Sequence, residues 1–204
     1  MTLTQVRTTN TQIKARRPHS RIQPLLNGAA KLFATKGYKE TTMRDIAAEV
    51  GMLPGSMYYH FKSKQELLLA VYEQAVMDLK SRLEKATASE QDPWKRLETA
   101  VITHVETILD QNHFARIMIG VTPEKVPEIQ EELTAMRDSY EQIFIVIIDE
   151  IPLEKYVNKT LFRLMLLGAL NSTQIWFHKG PFEPTEIGRE FIRYLESSVI
   201  CEQR

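Results

Sequence analysis

Residues 41–64, TTMRDIAAEVGMLPGSMYYHFKSK, constrain this chain more than any other stretch. They divide at Gly51 into two short helical segments. Thr42 is an N-cap for the first, with Asp45 three residues on as a short variant of the capping box. Ile46, Ala47 and Val50 fall on its inner face. Gly51 supplies the turn, where a positive φ costs little. Pro54 suits the first turn of the second segment, because its missing N–H would have no intrahelical partner there. That segment runs to about Phe61, and Met57 and Phe61, four apart, face inward and lock it to its neighbours. A helix pair of this size is the standard device for laying one helix in a DNA major groove.

The rest of the sequence is also helical in rhythm. A first helix spans about 21–36, with Ile22, Leu25, Leu26, Ala29, Leu32 and Phe33 on one face, and Gly37 stops it. Ser63 and Glu66 make a Ser-x-x-Glu capping box for a long helix striped by Leu67, Leu68, Val71, Tyr72, Ala75, Leu79 and Leu83. Asp92-Pro93 opens another, with Trp94, Leu97, Val101, Val105 and Ile108 inward. A short segment over 114–119 follows. Pro127 opens a helix of roughly 23 residues that Pro152 ends. Two more are expected over about 153–178 and 184–201. No period-2 stretch competes as a strand. The expectation is an all-α fold of about nine helices: a flexible basic arm over 1–20, a helix-turn-helix unit over 21–66, and a helical ligand-binding and dimerisation domain over 67–204.

Charge supports that division. The net charge is zero, yet residues 1–64 hold 11 Lys/Arg against 3 Asp/Glu, and residues 65–204 hold 15 against 23. A basic first third on an acidic remainder places a polyanion at the N-terminal unit alone. Arg7, Lys14, Arg16 and Arg17 give the arm a means of following phosphates or entering a minor groove. The single cysteine, Cys201, excludes a disulfide within the chain and fits a reducing compartment. The N-terminus lacks the apolar core of a signal peptide, and the longest strongly apolar stretch, 143–148, is too short to span a bilayer. A cytoplasmic protein with no membrane partner is expected.

The recognition helix is expected at 54–61. Pro54, Gly55 and Ser56 are small enough for close approach to DNA, and Ser56 can bond a base edge or a phosphate. Tyr58, Tyr59 and His60 form a polar-tipped aromatic end suited to phosphates, followed by Lys62 and Lys64. Taken singly, a tyrosine here reads as half-buried core and a lysine as solvated charge. Their order in one basic segment carries the argument. An enzyme is the rival class. The chain has no phosphate-cradling Gly-rich loop, no nucleophile elbow and no paired cysteines, and His19, His60, His104, His113 and His178 form no metal motif. No catalytic residue, metal or cofactor is expected. Glu128, Glu131 and Glu132 read as an acidic first turn of a helix.

Two strings, ATKGYKETTMRDIAAEVG over 34–51 and GSMYYHFKSKQEL over 55–67, resemble the tetracycline-repressor-like (TetR) family of bacterial transcription regulators. The resemblance covers about residues 21–68. It implies an all-α homodimer with an N-terminal helix-turn-helix domain and a C-terminal ligand-binding and dimerisation domain, most often a repressor released by a small molecule. By that resemblance Thr42, Ser56, Tyr58, Tyr59, His60 and Lys64 take DNA-contacting positions. Leu53 departs from the Ser or Thr common in the family, which leaves one phosphate contact open and the fold untouched.

In the C-terminal half, the segment over 153–178 is apolar on nearly every side, so it must be buried on every side. A dimer explains this, with Phe162, Leu166, Ala169 and Thr173 at the interface, joined by Phe191, Tyr194 and Leu195 of the last helix. Its two-fold axis predicts a palindromic double-stranded DNA operator. Candidate pocket residues are Trp94, Val101, His104, Phe114, Met118, Met136, Tyr140, Phe144, Met165 and Trp176. For any one of them core packing is the plainer reading. Arg116 and Arg163 lie near apolar segments, available to an anionic group or to solvent. Residues 47–61 together with 171–176 resemble family members that control lipid or steroid catabolism, which implies an acyl-CoA-type effector. A regulator with no small-molecule ligand is the alternative.

Overall fold

The computed structural model describes residues 22–110, 112–178 and 180–199, and among these every regular element is helical. The basic arm over 1–20 and Cys201 lie outside the described residues. Nine α-helices occur among those described: α1 (Ile22–Thr35), α2 (Met43–Glu49), α3 (Pro54–His60), α4 (Lys64–Thr87), α5 (Pro93–Leu109), α6 (His113–Gly120), α7 (Gln130–Glu150), α8 (Lys159–Trp176) and α9 (Pro184–Val199).

Local chemistry sets the boundaries. Gly37 and Gly51 have φ of +96° and +63°, the left-handed region where glycine is favoured, and they terminate α1 and form the α2–α3 turn. The Thr42 hydroxyl accepts from the Asp45 N–H at 3.1 Å, and the Asp45 carboxylate accepts from the Thr42 N–H at 2.9 Å. This is the full capping box at α2. Ser63 caps α4 by accepting from the Glu66 N–H at 3.1 Å. The Glu66 carboxylate reaches back one residue further than expected, to the Lys62 N–H at 2.7 Å. Asp92, Asn112 and Asn158 cap α5, α6 and α8 in the same manner.

Two boundaries differ from expectation. Pro127 opens a single 3₁₀ turn, and α7 begins at Gln130. α8 begins at Lys159, six residues later than its hydrophobic rhythm predicts. Leu153 and Val157 are half-buried without being helical. Asn158, a strong cap, sets the true start by accepting from the Leu161 N–H at 3.0 Å. Lys159 then donates to the Asp149 and Ile151 carbonyls at 2.7 and 3.2 Å, satisfying the orphan end of α7.

One continuous core runs through the molecule. Leu25, Ala29, Phe33, Ile46, Ala47 and Met57 bind α1, α2 and α3 together. α4 carries that core onward, packing against α1, α5, α6 and α7. Tyr72 on α4 is fully buried and donates to the Met118 carbonyl of α6 at 3.1 Å. Burial pushes its phenol up to about 12. α6 also packs on α1, and α9 lies along α5. Gly188 permits that approach: a Cβ there would sit 2.9 Å from the Ile102 Cα. Among the described residues, no helix is long and apolar enough to cross a membrane.

Candidate nucleic-acid interface and effector region

α3 is held by two apolar residues and shows nearly everything else to solvent. Met57 is fully buried and Phe61, at its C-cap, is buried. Pro54, Gly55, Ser56, Tyr58 and Tyr59 are exposed and His60 is half-buried. Tyr59, 87% exposed, touches the rest of the chain so little that packing does not explain an aromatic residue there. A Cβ at Gly55 would meet nothing within 4 Å, so close approach from outside is open at that point. Leu53 precedes the helix without a side-chain cap, as its residue type requires. Thr42 is exposed beside this surface, and its hydroxyl keeps its proton free to donate after capping α2.

The nearby charges are sorted by ion pairing. Lys31 pairs with Glu49 at 2.7 Å and Lys36 with Asp45 at 2.6 Å. The Lys36 contact, with the bonds from Thr42, holds the Asp45 carboxyl down to about 2. Lys39, Arg44 and Lys62 form no ion pair among the described residues. Lys64, expected at a phosphate, is turned inward in the chain without DNA. Its ammonium group donates to the carbonyls of Tyr38, Lys39 and Thr41 at 2.8, 3.3 and 2.9 Å. All three of its protons are thereby committed inward. The basic end of this surface therefore rests on Lys62.

In the effector region the expected pocket residues separate into three groups. His104, Met118, Tyr140 and Phe144 are buried, and Val101 is fully buried. Trp94, Phe114 and Met136 are half-buried at the edge of the core. Met165 and Trp176 do not face the interior: they are 55% and 46% exposed on the outer side of α8. At the edge of the core, α6, α7 and α8 leave a pocket of about 180 Å³, lined by Met118, Ile119, Arg137, Tyr140, Glu141, Leu167 and Asn171. Of the expected residues, Met118 and Tyr140 line it.

His104 is the buried polar centre beside that pocket. Its Nε2 lies 3.1 Å from the Asn171 side-chain oxygen, and its Nδ1 is hydrogen-bonded to the Tyr140 hydroxyl. With Asn171 presenting its oxygen, Nε2 carries the proton and Tyr140 donates to Nδ1. Phe144 meets the imidazole edge-to-face at 5.9 Å. Burial pushes the His104 imidazole down to about 4, against a partial offset from Asn171, and pushes the Tyr140 phenol up. Asn171 enters the sequence reading only through the 171–176 resemblance and not as a partner of His104, because it lies 67 positions away and only the α5–α8 packing joins them. Arg163 forms an ion pair with Glu141 and is mostly buried by it.

The interface expectation is corrected in the same region. Phe162, Leu166 and Thr173 lie inside the subunit core. The opposite side of α8, with Leu161, Leu164, Met165, Ala169 and Ile175, faces outward, and Tyr194 of α9 is exposed as well. Phe191 and Leu195 are half-buried. Periodicity showed that α8 has two apolar sides but could not say which one the subunit itself covers.

A displayed short helix on a three-helix unit, joined by one long helix to a bundle with an uncovered apolar face, is a helix-turn-helix architecture. Comparison with known proteins carries this further. Residues 25–71 match the family described as "Bacterial regulatory proteins, tetR family", and residues 90–199 match "Tetracyclin repressor-like, C-terminal domain". The chain belongs to the TetR family. It is 41% identical over 91 residues to the HTH-type transcriptional repressor KstR2 of Rhodococcus jostii (strain RHA1), which covers 45% of this chain and 44% of that protein. The chain spans about half the length of the curated relatives it matches first. Among solved structures, the ketosteroid transcriptional regulator KstR2 of Mycobacterium tuberculosis superposes with a TM-score of 0.71 at 23% identity, over 90% of this chain and 97% of that one. FadR from Bacillus subtilis, in complex with stearoyl-CoA, superposes with a TM-score of 0.76 at 17% identity, over 88% and 100%. At those identities the two structures establish the shared fold.

Proposed function

We propose that this protein is a homodimeric repressor that binds a palindromic operator and is released from it by a small hydrophobic or acyl-CoA-type molecule. The observation that carries the proposal is the exposure of α3. Ser56, Tyr58 and Tyr59 stand free of the core while Met57 anchors the helix beneath them. Ser56 is assigned to a base edge, and Thr42, Tyr58, Tyr59, His60 and Lys62 to phosphates. Pro54 and Gly55 give the close approach. The outer face of α8, with Tyr194 of α9, is assigned to the two-fold interface, since an exposed apolar surface of that kind marks an interaction site.

For the effector, the pocket sets Arg137, Tyr140, Glu141 and Asn171 beside Met118, Ile119 and Leu167, and His104 is hydrogen-bonded behind Tyr140 and Asn171, a mixed lining suited to a ligand with both a polar and an apolar part. The matched repressor, the ketosteroid regulator and the stearoyl-CoA complex support a lipid-type effector. The pocket of about 180 Å³ is too small for a long acyl chain, so binding would have to part α6, α7 and α8. The same small pocket favours a second reading, a DNA-binding regulator without a small-molecule ligand.

Fluorescence anisotropy with the DNA upstream of the protein's own gene decides between them. It is run at two salt concentrations, with and without a panel of CoA thioesters and hydrophobic acids. Tight, salt-sensitive binding relieved by one compound is the expected result. Binding that no compound relieves selects the second reading. Binding no tighter than to random DNA, at this site and at sites selected from a random pool, overturns the DNA-binding assignment.

A further inference from the structure

A cleft of about 530 Å³, larger than the pocket beside His104, lies between the end of α1 and α6. Its volume is within the range of small-molecule sites. One wall is Phe33, Ala34 and the turn from Gly37 to Glu40; the facing wall is Arg116, Ile117, Gly120 and Val121, closed by Lys125, Val126 and Gln174.

The lining has two characters. Phe33, Ala34, Ile117, Val121 and Val126 give an apolar floor. Among the lining residues Lys39, Arg116 and Lys125 bring three positive charges against the carboxylate of Glu40, and burial together with the nearby Glu128 carboxylate pushes the Tyr38 phenol up. None of the three cations has an ion-pair partner among the described residues; Lys125 donates one proton to the Gly120 carbonyl at 2.8 Å and keeps two. Arg116 is exposed, so its charge keeps its hydration until something covers it. Tyr38, on the same wall, has a hydroxyl that is buried with no hydrogen-bond partner. A buried polar group without a partner is a departure that calls for a ligand or a water.

We propose that this cleft is a second ligand site, separate from the His104 pocket, and that it takes a small organic anion with a flat apolar body. The apolar floor suits the body, and Arg116 and Lys125 suit a carboxylate or sulfonate at the rim. Its position gives occupancy a consequence. One wall belongs to the turn whose carbonyls hold Lys64 at the start of α4, and the other belongs to α6. A bound anion would therefore touch the helix-turn-helix unit and the effector region together.

The test is calorimetric titration of the full chain, without DNA, using 1-naphthoate as the probe. One naphthoate per chain is expected. The Arg116→Gln/Lys125→Gln double variant should weaken it about tenfold, since two rim charges are lost. Gly120→Leu should weaken it: Gly120 lines the cleft and a Cβ there meets nothing within 4 Å, so added bulk at that wall leaves the core undisturbed. Millimolar inorganic phosphate should leave naphthoate binding in place, because phosphate has no apolar body. No binding by the wild-type chain, or equal binding by both variants, overturns the site. Displacement by phosphate as effective as by naphthoate overturns the organic part of the assignment. None of these outcomes depends on DNA binding, so the site can fail while the repressor reading stands.

Discussion

The ammonium group of Lys64 lies 4.4 Å from the centre of the Tyr38 ring, at the point where α4 begins and the α1–α2 turn ends. The same nitrogen bonds three carbonyls of that turn. One side chain thereby ties the α1–α2 turn to the start of α4, with the Tyr38 ring adding a cation–π contact.

Replacing Lys64 with Met keeps the stem and leaves three carbonyls without their donor. The expected cost is about 1–3 kcal/mol of stability, the range for stranding partly buried acceptors. Urea unfolding would register it as a lower midpoint at unchanged slope. The salt dependence of DNA binding should stay as in the wild type, since Lys64 neutralises no phosphate in this arrangement. A reduced salt slope would return Lys64 to the DNA surface.

The exposed residues of α3 and its end should divide by chemistry. Lys62→Gln removes a free charge and should lower the salt slope by about 0.9. Tyr58→Phe removes a neutral donor, so affinity should fall evenly across sequences with the slope unchanged. Ser56→Ala should alter base preference at one operator position by about 1 kcal/mol, the low end for a side chain bonded to a base edge. Anisotropy across a set of single-base operator variants at several salt concentrations separates the three. Identical behaviour of all three with the wild type would remove α3 from the interface.

Much of this surface could be read from the sequence, because it is built locally. Thr42, Gly51, Pro54 and Ser63 each act within three residues of themselves, and the structure uses each in its expected place. What escaped the sequence depends on distant pairings. Lys64 reads as a surface cation until the carbonyls 23 to 26 positions earlier are brought under it. The cleft beside α1 draws its lining from separate stretches of chain. α8 was ambiguous for another reason: two apolar sides fit its rhythm, and only packing against α5 and α7 decides which is covered.

His104 makes stability depend on pH. Its imidazole is held at about 4 in the folded chain against a usual value near 6.5, mainly by burial. The unfolded chain therefore binds a proton that the folded chain refuses between those values. Stability from this group is fully present above pH 6.5 and is lost as pH falls toward 4, by about 3 kcal/mol in all. His104→Gln should remove that slope while retaining a polar group beside Tyr140 and Asn171. Urea unfolding from pH 4.5 to 7.5, at fixed protein concentration and ionic strength, would show it. An equal slope in both proteins would refute the assignment.

The two sides of α8 offer the sharpest test of the assembly. Leu164 is half exposed and Phe162, two positions earlier, is buried. A charge at Leu164 meets water in the free subunit, so Leu164→Asp should leave the subunit folded, with its helical signal and unfolding slope intact. In a dimer joined through the outer face, the same carboxylate would be buried unpaired, a penalty of several kcal/mol repeated by symmetry. Sedimentation should then show monomers, and affinity for a palindromic site should drop toward that for a half-site. Phe162→Asp should instead unfold the subunit, because its charge enters the core in monomer and dimer alike. Were Leu164→Asp to remain dimeric, the subunits must meet through another surface, and the exposed Leu161, Met165 and Ile175 would need a different partner.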